Sequence, residues 1–348
     1  MQRDIIRQIA LTAVIMGFLL LSACTSVKQH PDDLRPIDSR YLPDPDLNLS
    51  LDGLGPCSDK ADRSFQLKQG EPITVLVHGC TSSAGRYRSL AQVFAFKGQQ
   101  TICYNYNDRA SLDKVAGHLR QTLDRLSALT GHPDITLIGH SQGGLISRRA
   151  LTTVHRESPN LDQSQQRLIT LSAPFSGISA ADHCASPTAR VISLGLVIPI
   201  CMAISGDKWL EITHASDFIR KPGQLHPSVI EHLLIVTDEE ESCRTEIGGD
   251  CLEDDYVFSL EEQILPEPLG GPVVRELILK AGHAEIVGNG DQIPEKLIRA
   301  LQQEGILAAT NQASMAAYRR LLVSLYLNNH ETGTLLNQTD VFAHLPAY

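Results

Sequence analysis

Short apolar runs recur along this 348-residue chain and alternate with segments of helical period, which leaves few architectures open. The run 73–77 (Ile-Thr-Val-Leu-Val) is bounded by Pro72 and by His78-Gly79, as expected of a strand covered on both faces. Runs at 101–106, 135–138, 168–171, 233–236 and 273–279 read the same way. Between the first two, Tyr87, Leu90, Ala91, Val93 and Phe94 recur at near-helical spacing. Between the second and third so do Leu112, Val115, Leu119, Leu123 and Leu126, with Gly131 as the stop. Further helices are expected from 145 to 153, 293 to 301 and 313 to 327. Such alternation calls for an α/β fold with a doubly wound, mainly parallel sheet. Residues 175–227 break the rhythm and read as an inserted, lid-like excursion over the sheet.

The first residues serve as an address. Arg3 and Arg7 precede an apolar stretch from residue 9 to 23, too short to span a bilayer core that needs about 20 residues. It ends in Leu21-Ser22-Ala23-Cys24, which resembles the lipobox of bacterial lipoproteins. The resemblance implies removal of residues 1–23 as a signal peptide and acylation of Cys24. It also implies a lipid-anchored protein in the cell envelope, with Thr25 favouring the outer membrane over the inner. Prolines at 31, 36, 43, 45 and 56 make 24–68 an N-terminal tether, or in part an opening strand of the domain, and 69–348 the globular domain.

Composition excludes some partners. The chain carries 40 acidic and 30 basic side chains, a net charge of −10 that becomes −11 once the signal is removed. With no basic run, nucleic acid is not an expected ligand. Seven cysteines follow Cys24, at 57, 80, 103, 184, 201, 243 and 251, and an oxidising compartment would pair them. Spacing suggests 243 with 251, 184 with 201, and 80 with 103, leaving Cys57 or another thiol over; sequence does not fix the connectivity.

The chemistry starts at Gly139-His140-Ser141-Gln142-Gly143-Gly144, between an expected strand and an expected helix. A serine on such a turn presents its hydroxyl at the sheet edge. The hydroxyl is a weak nucleophile and needs a base, a carboxylate to orient that base, and donors for the oxyanion. The backbone N–H groups of Gln142 and Cys80 are the candidate donors, and His78 holds the Cys80 loop. Triad partners follow such a serine in the order acid, then histidine. His283, in Lys280-Ala281-Gly282-His283, lies just past the last expected strand and is the candidate base. For the acid the sequence offers Asp238, Glu239, Glu240, Glu241, Asp250, Asp254 and Asp255, with Asp238 nearest the strand end.

Together His78-Gly79, Gly139-His140-Ser141-Gln142-Gly143, Ala173-Pro174-Phe175-Ser176-Gly177 and Gly282-His283 resemble the lipase and esterase branch of the α/β-hydrolase superfamily, over about residues 70 to 300. Asp254-Asp255-Tyr256-Val257-Phe258-Ser259 is similar to the family's Asp-Gly-x-Val-Pro-x-Ser acid segment, though without its glycine. The resemblance therefore implies Asp254 as the acid, with Asp255 and Asp238 as alternatives.

The reading is a serine hydrolase of acyl or lipid esters that works through an acyl-enzyme and calls for no metal or organic cofactor. Residues 191–200, 203–204 and Trp209 could form a greasy wall for an acyl chain, or pack as a buried helix. Two other readings stay open. One is an inactive envelope protein that binds lipid, and the other is a triad enzyme for thioesters, amides or lactones.

Overall fold

The computed structural model describes residues 36–155, 158–178, 207–247, 250–266, 273–288 and 293–326. The expected signal peptide, Cys24, the Cys184 and Cys201 pair, and residues 191–200 and 203–204 lie outside the described residues.

The strands are β1 (Leu47–Leu49), β2 (Leu54–Gly55), β3 (Phe65–Leu67), β4 (Ile73–Val77), β5 (Gln100–Tyr104), β6 (Ile135–His140), β7 (Gln166–Leu171), β8 (Val229–Asp238), β9 (Cys243–Ile247), β10 (Asp250–Asp254) and β11 (Val274–Lys280). A seven-stranded sheet runs β11-β8-β7-β6-β4-β5-β2, parallel throughout except for β2, which pairs antiparallel with β5. β1 and β3, and β9 and β10, form separate antiparallel pairs.

The helices are α1 (Arg88–Phe96), α2 (Leu112–Thr130), α3 (Gln142–Ala150), α4 (Asp217–Arg220), α5 (Leu260–Gln263), α6 (Glu295–Gln303) and α7 (Met315–Tyr326). The period of two in each strand divides the core. Val75, Val77, Leu137 and Leu168 face a cluster shared with Leu119 and Leu123 of α2 and Ile146 of α3. Leu76, Ile138, Ile169 and Leu171 face the other, shared with Leu90 and Phe94 of α1, Leu297 and Leu301 of α6, and Tyr318 of α7. Helices therefore cover both faces, as the doubly wound reading expects. α2 is bounded by its own sequence: the Ser111 hydroxyl accepts from Lys114 N, and Gly131 closes the helix at φ 80°.

The tether reading needs a correction from Leu47 onward. Leu51, Leu54, Phe65 and Leu67 are buried, and β2 is the seventh strand of the sheet. The prolines interrupt this stretch without freeing it, because its apolar side chains cap the β5 edge. The disulfides also differ in part from expectation. Cys103 bonds to Cys57 rather than Cys80, and this bond ties the β2 stretch to β5. Cys243 bonds to Cys251 as expected, closing the β9-β10 hairpin. Cys80 keeps an exposed thiol. Among the described residues no helix is long and apolar enough to cross a membrane.

Candidate functional site

Parallel strands place their carboxyl ends together, and six residues of the site sit just beyond them: His78 and Cys80 after β4, Ser141 after β6, Ser172 after β7, Glu239 after β8 and His283 after β11.

Ser141 has φ 53° and ψ −125°, a conformation that a residue with a side chain seldom adopts. The neighbouring glycines make this turn possible. A Cβ on Gly143 would lie 2.3 Å from the Val77 carbonyl oxygen, and one on Gly139 would lie 2.4 Å from that of Gly143. α3 begins at Gln142, so the N–H of Gln142 belongs to the first turn of the helix, where no intrahelical acceptor is available. Gly79 closes over the turn, since a Cβ there would come within 3.1 Å of Ser141 Cβ. His78 holds the adjoining loop, as expected. Its Nδ1 is 2.9 Å from the Gly79 carbonyl oxygen, its ring stacks on Tyr106, and the Tyr106 hydroxyl donates to the His78 carbonyl. Burial pushes the His78 imidazole below its usual range.

Ser141, His283, Gly79, Cys80, Arg86, His140 and Arg244 line one open cleft of about 260 Å³. The Cys80 sulfur accepts from the buried Lys208 ammonium at 2.8 Å. His140 packs beside His283, with ring centroids 4.7 Å apart, and its Nε2 is 3.0 Å from the His283 carbonyl oxygen. Burial, followed by the neighbouring His283, lowers His140 to about 3, so it stays neutral. Phe258 meets the His283 ring edge to face at 4.8 Å.

The carboxylate brought to His283 is Glu239, not Asp254, Asp255 or Asp238. His283 Nδ1 lies 3.0 Å from Glu239 Oε1. The other oxygen of Glu239 accepts from the backbone N–H groups of Val257 at 2.6 Å and Phe258 at 2.9 Å. Ser172 Oγ at 2.6 Å and Thr237 Oγ1 at 2.8 Å donate to Oε1. Burial alone would raise this carboxyl. The bonds from His283, Ser172 and Phe258 outweigh burial and hold it below the usual glutamate range.

The three expected acids sit elsewhere for identifiable reasons. Asp254 ends the exposed strand β10 and accepts from its neighbour Tyr256 N. Asp238 is the last residue of β8 and points to Lys280, with its Oδ2 3.4 Å from Nζ. Asp255 is buried, but it grips the loop that carries His283 rather than the imidazole. Its carboxylate accepts from Ala284 N and Glu285 N and from the Arg244 guanidinium, and its carbonyl accepts from His283 N at 3.0 Å. A Cβ on Gly282 would fall 2.2 Å from Asp255 Oδ2, so the glycine of the Gly-His pair provides room for this clamp. Glu239 was within reach of sequence reasoning as the first residue past β8.

A family model described as palmitoyl protein thioesterase matches residues 73–225, under half of the chain, spanning β4 through the serine turn to the excursion. Together with the sheet order and the turn at Ser141, this fixes the architecture. The chain has the α/β-hydrolase fold. Solved structures similar to this chain include a Bacillus licheniformis lipase in mature form (17% identity, 76% of this chain and 100% of that chain, TM-score 0.46). An Aspergillus fumigatus lipase B (13%, 86% and 67%, 0.46) and a Paleococcus ferrophilus monoacylglycerol lipase (16%, 68% and 96%, 0.43) are also similar. Likeness at this level carries no inference about chemistry. No curated protein matches the sequence. Within the hydrolase fold Trp209, expected to wall an acyl site, packs against the core cluster on the α2 and α3 face.

Proposed function

We propose that this protein is a serine hydrolase that cleaves acyl esters or thioesters through an acyl-enzyme, with Ser141 as nucleophile, His283 as base and Glu239 as the acid. The observation that carries the reading is the convergence of a strained serine turn and a carboxylate-bound histidine in one cleft. His283 Nδ1–H is committed to Glu239, so Nε2 is left to take the Ser141 proton and return it to the leaving group. The N–H groups of Gln142 and Cys80 would stabilise the oxyanion, each such donor being worth about 2.7 to 4 kcal/mol in a transition state. Water would then release the acyl group by the same steps.

The sequence resemblance to lipases favours a carboxylic ester. The match to a palmitoyl thioesterase model supports a thioester as the second reading. The two are separated by kcat/KM on paired oxygen esters and thioesters of the same acyl chain. Loss of both in Ser141→Ala is expected, and undiminished turnover would overturn the assignment. Anchoring in a bacterial envelope through acylated Cys24 belongs to the same proposal and rests on the sequence resemblance to a lipobox. Metabolic labelling with a palmitate analogue, lost in Cys24→Ala, tests it.

A further inference from the structure

Ser172 closes a triangle of short contacts that the proposed triad does not need in order to be complete. It follows β7 in the segment Leu171-Ser172-Ala173-Pro174, it is wholly buried, and its φ of 45° lies in the left-handed region that residues other than glycine seldom occupy. Its backbone N–H donates to the Ile235 carbonyl on β8, which fixes the turn. Its hydroxyl lies 2.6 Å from Glu239 Oε1 and 2.8 Å from His283 Nδ1.

Proton accounting decides what this triangle does. A serine hydroxyl has one proton, and an ionised carboxylate accepts only. The bonds around Glu239 hold it ionised, so the Ser172 proton goes to Oε1. The Ser172 lone pairs then face Nδ1. Were Nδ1 itself unprotonated, its lone pair would face two acceptors, Glu239 Oε1 at 3.0 Å and Ser172 Oγ at 2.8 Å. With a proton on Nδ1, both contacts become acceptances of one forked N–H. The neutral imidazole is thereby driven into the form that carries its proton on Nδ1 and its lone pair on Nε2, facing the cleft.

We infer that Ser172 is a positioning residue that selects the base-competent tautomer of His283, acting with Glu239 and not on substrate. This rests on the reading of His283 as the base. Outliers of backbone geometry gather where function requires a side chain in a place its backbone resists. Here an alanine would occupy the same space, and only the hydroxyl serves both partners.

The test uses the full chain with Ser172→Ala and Ser172→Gly, the second being suited to a positive φ. In each, kcat and KM on an ester are measured beside the 15N shifts of histidine-labelled protein, which separate the two tautomers. Both variants are expected to lose at least about tenfold in kcat, with KM changed less than about twofold, and to gain the Nε2–H form of His283. Wild-type tautomer populations in both variants would overturn the inference, as would recovery of kcat in Ser172→Gly alone, since strain and not the hydroxyl would then be the cause. If the wild-type protein hydrolyses no ester or thioester, the functional reading fails, yet the 15N shifts still decide the role of Ser172.

Discussion

Glu239 and His283 meet through a 3.0 Å hydrogen bond across 44 positions of sequence, and the glutamate is only 1% exposed while making it. A carboxylate this buried persists because five donors surround it, and one of them is the histidine. Replacing it by Glu239→Gln keeps the shape but offers an amide N–H where an acceptor is needed. A loss of about 10² to 10⁴ in kcat is expected, with Asp254→Asn within about twofold of wild type. Steady-state kinetics of the two variants side by side checks the assignment. A large loss in Asp254→Asn with full activity in Glu239→Gln would reverse it.

Asp255 separates support from chemistry. Its carboxylate holds Arg244 and the N–H groups of Ala284 and Glu285, so Asp255→Ala strands buried donors beside His283. A destabilisation of about 2 to 4 kcal/mol is expected, moderated because Arg244 is partly solvated. Urea unfolding should show that cost in Asp255→Ala, together with a fall in activity, whereas Glu239→Gln should lose activity with a smaller change in midpoint.

Acid should weaken the fold through its buried histidines. Burial lowers both His140 and His232 to about 3, and the unfolded chain takes up their protons near 6.5. Between those values the unfolded state binds more protons, so stability falls as pH falls from about 6.5 toward 3. Each histidine contributes a slope approaching 1.36 kcal/mol per pH unit, or about 2 kcal/mol lost by pH 5. His232 bonds Thr170 through Nε2 and does not line the cleft. In His232→Asn the decline of unfolding free energy between pH 7 and pH 5 should become shallower by about that amount, and an unchanged slope would exclude His232 from the effect.

The Cys57–Cys103 disulfide closes a separation of 46 residues, and Cys243–Cys251 closes one of 8. Loop entropy makes the longer closure worth about 4 kcal/mol and the shorter about 2.5 kcal/mol. The Cys57→Ala/Cys103→Ala variant should therefore unfold at lower urea than the Cys243→Ala/Cys251→Ala variant. Equal midpoints would mean that the β2 stretch stays docked on β5 without its covalent tie.

Much of this was readable from residues alone, for physical reasons. Apolar strand runs covered on both faces announce the parallel sheet, and glycines at 139 and 143 mark a turn where backbone passes too close for a Cβ. His283 was legible because Gly282 sits at a strand end. The acid was not, because the choice among seven carboxylates depends on where β8 stops and how the β9-β10 hairpin folds away, and both are tertiary facts. Periodicity past Asp238 points to nothing, while Asp254 sits in a segment with a familiar pattern. Ser172 was legible only as part of a motif, since its φ is set by the folded turn and its two partners lie 67 and 111 positions further along. The β2 stretch was masked by prolines, whose effect on local regularity says little about whether Leu51 and Leu54 find a core.

The central claim is that Ser141 is an activated nucleophile, and covalent labelling tests it most directly. The full chain is treated with a fluorophosphonate probe, and the modified peptide is identified by mass spectrometry in wild type, Ser141→Ala and Glu239→Gln. The account predicts stoichiometric labelling at Ser141 in wild type, none in Ser141→Ala, and strongly slowed labelling in Glu239→Gln. Absence of labelling in folded wild-type protein, or labelling that survives in Ser141→Ala, would contradict it.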